Sequence, residues 1–248
     1  KNIDKKLNDL GLSQDIYENL KDILKLTQGL ILISGPTGSG KTTTLYSILK
    51  ELNSDDKKII TVEDPIEYKI DSINQVPINN KVGLSFELVL KNILRQDPDI
   101  IFIGEIRDKF SLDIALQASL TGHLVLASIH ASSSVETITR LIDLKADPFL
   151  ISTTLKAVMA QRLVLAHCKS CENGCKKCNF TKFYDRTSIS EILKVDEQIS
   201  SLIFNKASFN ELKEYLKNIN FKTMLDDGKQ KVKDGLTTLE EVYKVVNF

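Results

Sequence analysis

The stretch Gly35-Pro36-Thr37-Gly38-Ser39-Gly40-Lys41-Thr42 carries the most specific chemistry in the chain. It fits G-x-x-x-x-G-K-[ST], a spacing suited to holding the phosphates of a nucleoside triphosphate. Glycines allow a tight turn whose successive N–H groups point inward at an anion. A helix opening directly after the turn adds the partial positive charge of its amino end. Lys41 can then reach the β- and γ-phosphates, the Thr42 hydroxyl can bind Mg²⁺, and Thr43 completes the nucleotide-binding set. The flanks agree. Leu30-Ile31-Leu32-Ile33 reads as a buried strand entering the loop, and Thr43 to Leu52 reads as a helix leaving it, with Leu45, Ile48, Leu49 and Leu52 on one face.

Hydrolysis would need more: a carboxylate for Mg²⁺, a group that orients water, and positive charge for the transition state. Two acidic strand ends are available. Thr61-Val62-Glu63-Asp64-Pro65-Ile66-Glu67 leaves Glu63 and Asp64 at a tip where Pro65 stops the strand. The apolar run Ile100-Ile101-Phe102-Ile103 delivers Glu105, followed by Ile106-Arg107-Asp108. Acidic residues also cap helices and decorate turns, and spacing alone does not assign which carboxylate does which job. His123 and His130 bracket a further strand; His130, at the carboxyl end, is the better placed to sense a γ-phosphate. Arg95, Arg107 and Arg162 are candidate sources of neutralising charge.

All four cysteines lie together, as Cys168-x-x-Cys171 and Cys175-x-x-Cys178. Two such pairs can form a tetrahedral S₄ site, which favours Zn²⁺ over an iron–sulfur cluster or free thiols. Gly174 sits where the chain must reverse, and Lys169, Lys176 and Lys177 offset thiolate charge. Four thiolates leave no open position, so the role is structural.

These residues need a frame. The chain has 248 residues, 42% hydrophobic, with 33 basic and 33 acidic side chains. That length and composition support one large domain or a core with a small appendage. Zero net charge and the lack of aromatic–basic interleaving argue against a nucleic-acid surface. The apolar runs are too short to span a bilayer, and no signal peptide is visible. The start Lys1-Asn2-Ile3 lacks an initiator Met, which suggests a processed or excised fragment. Residues 1–28 read as helical. Strand-like runs at 30–34, 58–63, 99–105 and 124–130 alternate with helix-like stretches at 42–52, 86–95, 110–120 and 135–145. This pattern predicts an α/β fold with a mainly parallel sheet. Ligands in such sheets bind beyond the carboxyl ends of the strands, where Glu63, Glu105 and His130 all fall. Pro148 to Val164 reads as one more helix. After Asp185 the pattern looks helical to the end, clearest at 211–216 and 238–246, with Gly228 and Gly235 as punctuation. The expected division is a P-loop core over 1–165, a tetracysteine metal-binding insert over 166–186 and a C-terminal helical subdomain over 187–248.

The order of motifs resembles the secretion ATPases of type II secretion and type IV pilus assembly. The phosphate loop resembles their Walker A motif, and Thr-Val-Glu-Asp-Pro-Ile-Glu their Asp box. Leu94-Arg95-Gln96-Asp97-Pro98-Asp99 and Gly104-Glu105-Ile106-Arg107-Asp108 resemble Walker B and its approach, and Thr121-Gly122-His123 opens a His box. Gln161-Arg162-Leu163-Val164 and Gly235-Leu236-Thr237-Thr238-Leu239-Glu240-Glu241-Val242 extend the likeness over nearly the whole chain. The resemblance implies a RecA-like ATPase core in which Glu63 polarises the attacking water, Glu105 holds Mg²⁺ through water, and His123 and His130 act in the site. It implies ATP and Mg²⁺ as cofactors with structural Zn²⁺, a ring-forming homohexamer, and inner-membrane assembly-platform proteins as partners. It also implies a cytoplasmic location, peripheral to the inner membrane, with no direct nucleic-acid contact. Family members carry a further N-terminal domain that helps complete the active site, so this portion is expected to bind nucleotide, hydrolyse it slowly and have weakened ring contacts. The link between the cysteine pairs is shorter than is usual in the family. A nucleic-acid translocase or binding module and a P-loop small-molecule kinase are the alternatives. The first would show ATPase stimulated by nucleic acid, the second a phosphorylated product.

Overall fold

The computed structural model describes residues 5–246. A 3₁₀ turn at Leu7–Leu10 leads to helix α1 (Gln14–Ile23) and strand β1 (Gly29–Ser34), followed by α2 (Lys41–Leu52), β2 (Ile59–Glu63) and β3 (Asn74–Pro77). Then come α3 (Phe86–Ile93), β4 (Ile100–Ile103), α4 (Lys109–Leu120), β5 (Leu124–Ile129), α5 (Ser134–Asp143) and α6 (Pro148–Thr154). The chain finishes with a long hairpin, β6 (Leu155–His167) and β7 (Phe183–Lys194), and with α7 (Glu197–Phe204), α8 (Phe209–Asn218), α9 (Met224–Lys233) and α10 (Leu239–Val245).

One sheet of seven strands, ordered β3-β2-β4-β5-β1-β6-β7, organises everything. All neighbours are parallel except β6 and β7. Both faces are covered, so the central strands are apolar throughout. In β1, Leu30 and Leu32 pack into a core with α3 to α8, whereas Ile31 and Ile33 pack into a second core with α1 and α2. Register aligns the carboxyl ends of the strands. Val62 pairs with Ile103, Ile103 with Ala127, and Ser34 with both Ile129 and Ala160. The residues just beyond these pairs therefore share one edge.

The α/β class and the four alternating strand–helix units agree with the sequence pattern. Several expectations about the elements are corrected. The stretch 148–164 is not one helix: α6 stops at Thr154 and the chain continues as β6. Ala, Met, Gln and Leu in this run favour helices in isolation, but β1 on one side and β7 on the other supply ladder partners. Residues 186–194 likewise form a strand. Of residues 1–28, only Gln14–Ile23 is α-helical, and residues 1–4 lie outside the described region. Gly228 does not separate helices but lies inside α9, where α10 packs so close that a Cβ would stand 2.6 Å from Val242 Cγ1. The polar edge strand β3 was not anticipated. The boundaries expected near 165 and 186 fall within β6 and β7, strands of the same sheet.

Candidate functional site

The phosphate loop leaves β1, which lies between β5 and β6 in the sheet, and enters α2 at Lys41. Its glycines are sterically required at two points. A Cβ on Gly35 would meet Gln161 O at 2.5 Å, and Gly40 has φ +91° with Gln161 Nε2 2.7 Å from where its Cβ would be. Gln161 of β6 is the brace behind the loop. Its buried amide donates to Ser39 O at 2.9 Å and accepts from the Thr44 hydroxyl at 2.8 Å. Lys41 folds back, donating to Gly35 O at 2.7 Å and Pro36 O at 3.0 Å. Burial pushes the Lys41 ammonium below its usual value, and the Glu105 carboxylate opposes that shift. The loop encloses the space where an anion would replace those carbonyls as the partner of Lys41. The pocket around it has a volume of about 900 Å³.

Glu105 stands on the facing wall, fixed by the backbone on either side: Gly104 N–H donates to Val62 O and Ile106 N–H to Ser128 O, both at 2.8 Å. One Glu105 oxygen lies 2.8 Å from His130 Nε2, and the other accepts from Arg107 Nε at 2.7 Å. Lys41, Thr42, Glu105, Arg107 and His130 all line the same pocket. Thr42 is exposed to it, as a Mg²⁺ ligand must be. A bound cation would find one hydroxyl and one carboxylate there, a donor set of hard oxygens suited to Mg²⁺.

Glu63 reaches the pocket wall but is only 3% exposed. Both its oxygens are engaged: Oε2 accepts from the Tyr46 hydroxyl, and Oε1 accepts from Thr61 Oγ1 at 2.6 Å and Gln75 Nε2 at 3.2 Å. The same loop brings Asp64 and Glu67 to the pocket with exposed side chains. Reasoning from strand ends missed Glu67, although it belongs to the quoted Asp-box run. It also missed Arg186 of β7, which lines the pocket because β7 is a strand rather than a helix.

Other expected residues lie elsewhere. His123 precedes β5, at the opposite end of that strand from His130, and its Nδ1 lies 2.9 Å from Ala118 O. Arg95 sits in the 3₁₀ turn Leu94–Gln96 that leads into β4, at the strand end away from Glu105. Arg162 is 8% exposed; its Nε donates to Val245 O at 3.1 Å, and its buried Nη1 has no partner among the described residues.

The cysteines occupy the tip of the β6–β7 hairpin. Their sulfurs all lie within 4.8 Å of one another, with Cys171–Cys178 at 3.6 Å, Cys175–Cys178 at 3.9 Å and Cys168–Cys175 at 4.0 Å. Zn–S bonds of about 2.3 Å in a tetrahedron require sulfur–sulfur edges of about 3.8 Å. The donor set therefore fits a zinc ion. Cys175 N–H donates to Cys178 Sγ at 3.2 Å, and this bond draws the Cys178 thiol down to about 6. Gly174 closes the knuckle with φ +98°, where a Cβ would stand 2.9 Å from Phe180 O.

Comparison with known proteins agrees with this geometry. The profile of the Type II/IV secretion system protein family matches residues 1–244. The Type II secretion system ATPase E of Vibrio cholerae is 42% identical over 96% of this chain and 52% of its own length. The Type IV pilus assembly ATPase PilB of Thermus thermophilus is 40% identical over 95% of this chain and 30% of its own length. Among solved structures, the pilus retraction motor PilT with bound ADP superimposes with a TM-score of 0.80 at 30% identity, covering 97% of this chain and 66% of that one. The chain spans about half the length, or less, of these two curated relatives.

Proposed function

The chain belongs to the Type II/IV secretion system protein family, and from that premise we propose that it is the ATP-hydrolysing portion of a secretion or pilus-assembly motor. The observation that carries the proposal is the convergence of a braced phosphate loop, the Glu105–His130 pair and exposed Glu67 on one pocket at the carboxyl edge of a parallel sheet. ATP sits with its phosphates on the loop amides and the amino end of α2. Thr42 and Glu105 would hold Mg²⁺, which would supply charge neutralisation at the phosphates. Lys41, Arg107 and Arg186 add positive charge around the phosphates, and His130 stands where a γ-phosphate would end. Burial and three donors suit Glu63 to a holding role, so water orientation falls to Glu67, which is exposed and lines the pocket.

The names of the relatives support a motor over a nucleic-acid translocase. The wider reading includes a homohexamer, docking on inner-membrane platform proteins from the cytoplasmic side, and structural Zn²⁺ in the cysteine knuckle. Among the described residues, no helix is long and apolar enough to cross a membrane.

Equilibrium binding of a fluorescent ADP analogue with Mg²⁺ tests the nucleotide site. Lys41→Ala removes a charge-assisted contact and should weaken binding by roughly tenfold or more. Equal binding by both proteins would place the nucleotide elsewhere.

A further inference from the structure

Resting on the ATPase reading above, we propose that Tyr46 is a positioning residue. It ties the helix that holds the phosphates to the loop that carries Glu67, so that nucleotide seat and water-orienting carboxylate keep one fixed geometry.

Tyr46 lies in the second turn of α2, five positions beyond Lys41, and is completely buried. Its hydroxyl makes two bonds that do different jobs. It donates to Glu63 Oε2, and it accepts from the backbone N–H of Glu67 at 3.1 Å. A phenol that donates to a buried carboxylate and accepts from an amide has its orientation set from both sides. Burial raises the Tyr46 phenol well above its usual value, with Glu63 adding to the shift, so the hydroxyl keeps its proton and stays a donor.

A second side chain converges on the same carboxylate from the other direction. Gln75 of β3 donates to Glu63 Oε1, donates to Tyr68 O at 3.1 Å and accepts from Ile70 N–H at 2.8 Å. The segment after β2 is thus pinned at three backbone atoms, on residues 67, 68 and 70, by two side chains that meet at Glu63. Aromatic packing stiffens the arrangement: the Tyr46 and Tyr68 rings lie 4.6 Å apart, and Phe102 meets Tyr46 edge-on at 6.3 Å.

This network gives polar Gln75, on an otherwise unremarkable edge strand, a reason for its side chain. It also explains why Glu63 is buried while Glu67, four residues on, is exposed at the pocket. Neither Tyr46 nor Gln75 lines the nucleotide pocket, so both act through Glu67.

The test is Tyr46→Phe, which keeps the ring and removes only the hydroxyl. Amide hydrogen exchange should speed up at Glu67 by about fivefold or more, as expected for a bond worth about 1 kcal/mol, while β1, β4 and β5 amides stay unchanged. Single-turnover ATP hydrolysis should fall by a similar factor with ATP affinity held within about twofold. In a Glu67→Gln background the same substitution should cost nothing further, because coupled residues are non-additive. Unchanged exchange at Glu67 overturns the proposal. So does a loss that appears in affinity alone, or one that multiplies with Glu67→Gln. If Tyr46→Phe does not fold, Gln75→Leu applies the same criteria, read at the Ile70 amide. Wild-type protein that is saturated with ATP but releases no phosphate would sink the ATPase reading instead, and the exchange data would still decide whether Tyr46 holds the Glu67 backbone.

Discussion

Gln161→Leu tests how the sheet supports the phosphate loop. Gln161 is 2% exposed, and its amide bridges Ser39 O and the Thr44 hydroxyl across from β6. Leucine has similar bulk but neither donates nor accepts. Each buried polar group left without its partner costs about 1–3 kcal/mol. The Thr44 hydroxyl can recover part of its loss by turning toward the carbonyl one turn back in α2, so we expect a net loss of about 3 kcal/mol. Unfolding entropy of roughly 2.1 cal/mol/K per residue, over 248 residues, amounts to about 0.5 kcal/mol/K. The melting temperature should therefore fall by about 6 °C. The loop conformation that receives phosphate is also less populated without its brace. With Mg-ADP at a fixed concentration well above Kd, a tenfold affinity loss would reduce ligand stabilisation by about 1.4 kcal/mol, or about 3 °C more. Thermal melts with and without Mg-ADP measure both terms. If the variant melts within about 1 °C of wild type and gains as much from ADP, Gln161 does not brace the loop.

Other perturbations probe the remaining parts. Removing zinc with a chelator, or Cys178→Ser, should unfold the tip of the hairpin, since structural zinc contributes on the order of 10 kcal/mol in small peptides. ADP affinity should stay within about twofold, and a chelator that releases no zinc would contradict the metal assignment. Gly228→Ala drives a Cβ into Val242 and should cost about 1–3 kcal/mol by chemical denaturation; adding Val242→Ala should recover part of it, and no recovery would show that the contact is not the cause. Lys231 is buried, bridging Asp227, Ser188 O and Gly11 O. Lys231→Met strands the Asp227 charge and should cost about 3–5 kcal/mol, with Lys231→Met/Asp227→Leu less harmful than the single change. A double variant as unstable as the sum of both would refute the pairing.

What the sequence made legible follows from local physics. The phosphate loop and the four strands β1, β2, β4 and β5 carry strong short-range signals: glycine spacing, and apolar runs bounded by turns. Glu105 and His130 could be placed because each stands within two residues of the end of such a run. In β6 the run of Ala, Met, Gln and Leu favours helices, and the ladders to β1 and β7 make it a strand. Strand β7 holds strand-favouring Phe, Tyr, Thr and Ile, but its polar character hides its place beside β6. Arg186 was lost with it. Exposure of Glu67 against burial of Glu63 was also illegible, since both are glutamates beside Pro65. The difference comes from Tyr46 and Gln75, which approach from a helix and an edge strand. His123 sits at the wrong end of β5 to reach the pocket of its own chain, which its sequence neighbourhood does not disclose. The cysteine knuckle was the easiest part, because paired ligand spacing is itself local.

The most direct test of the central claim is the release of inorganic phosphate from Mg-ATP under single-turnover conditions, by wild type and by Glu67→Gln, with nucleotide binding measured in parallel. The account predicts that wild type releases phosphate and that Glu67→Gln binds ATP with unchanged affinity but releases it at least about 100-fold more slowly. Equal rates for the two proteins, or no release by a wild type that is saturated with ATP, would contradict it.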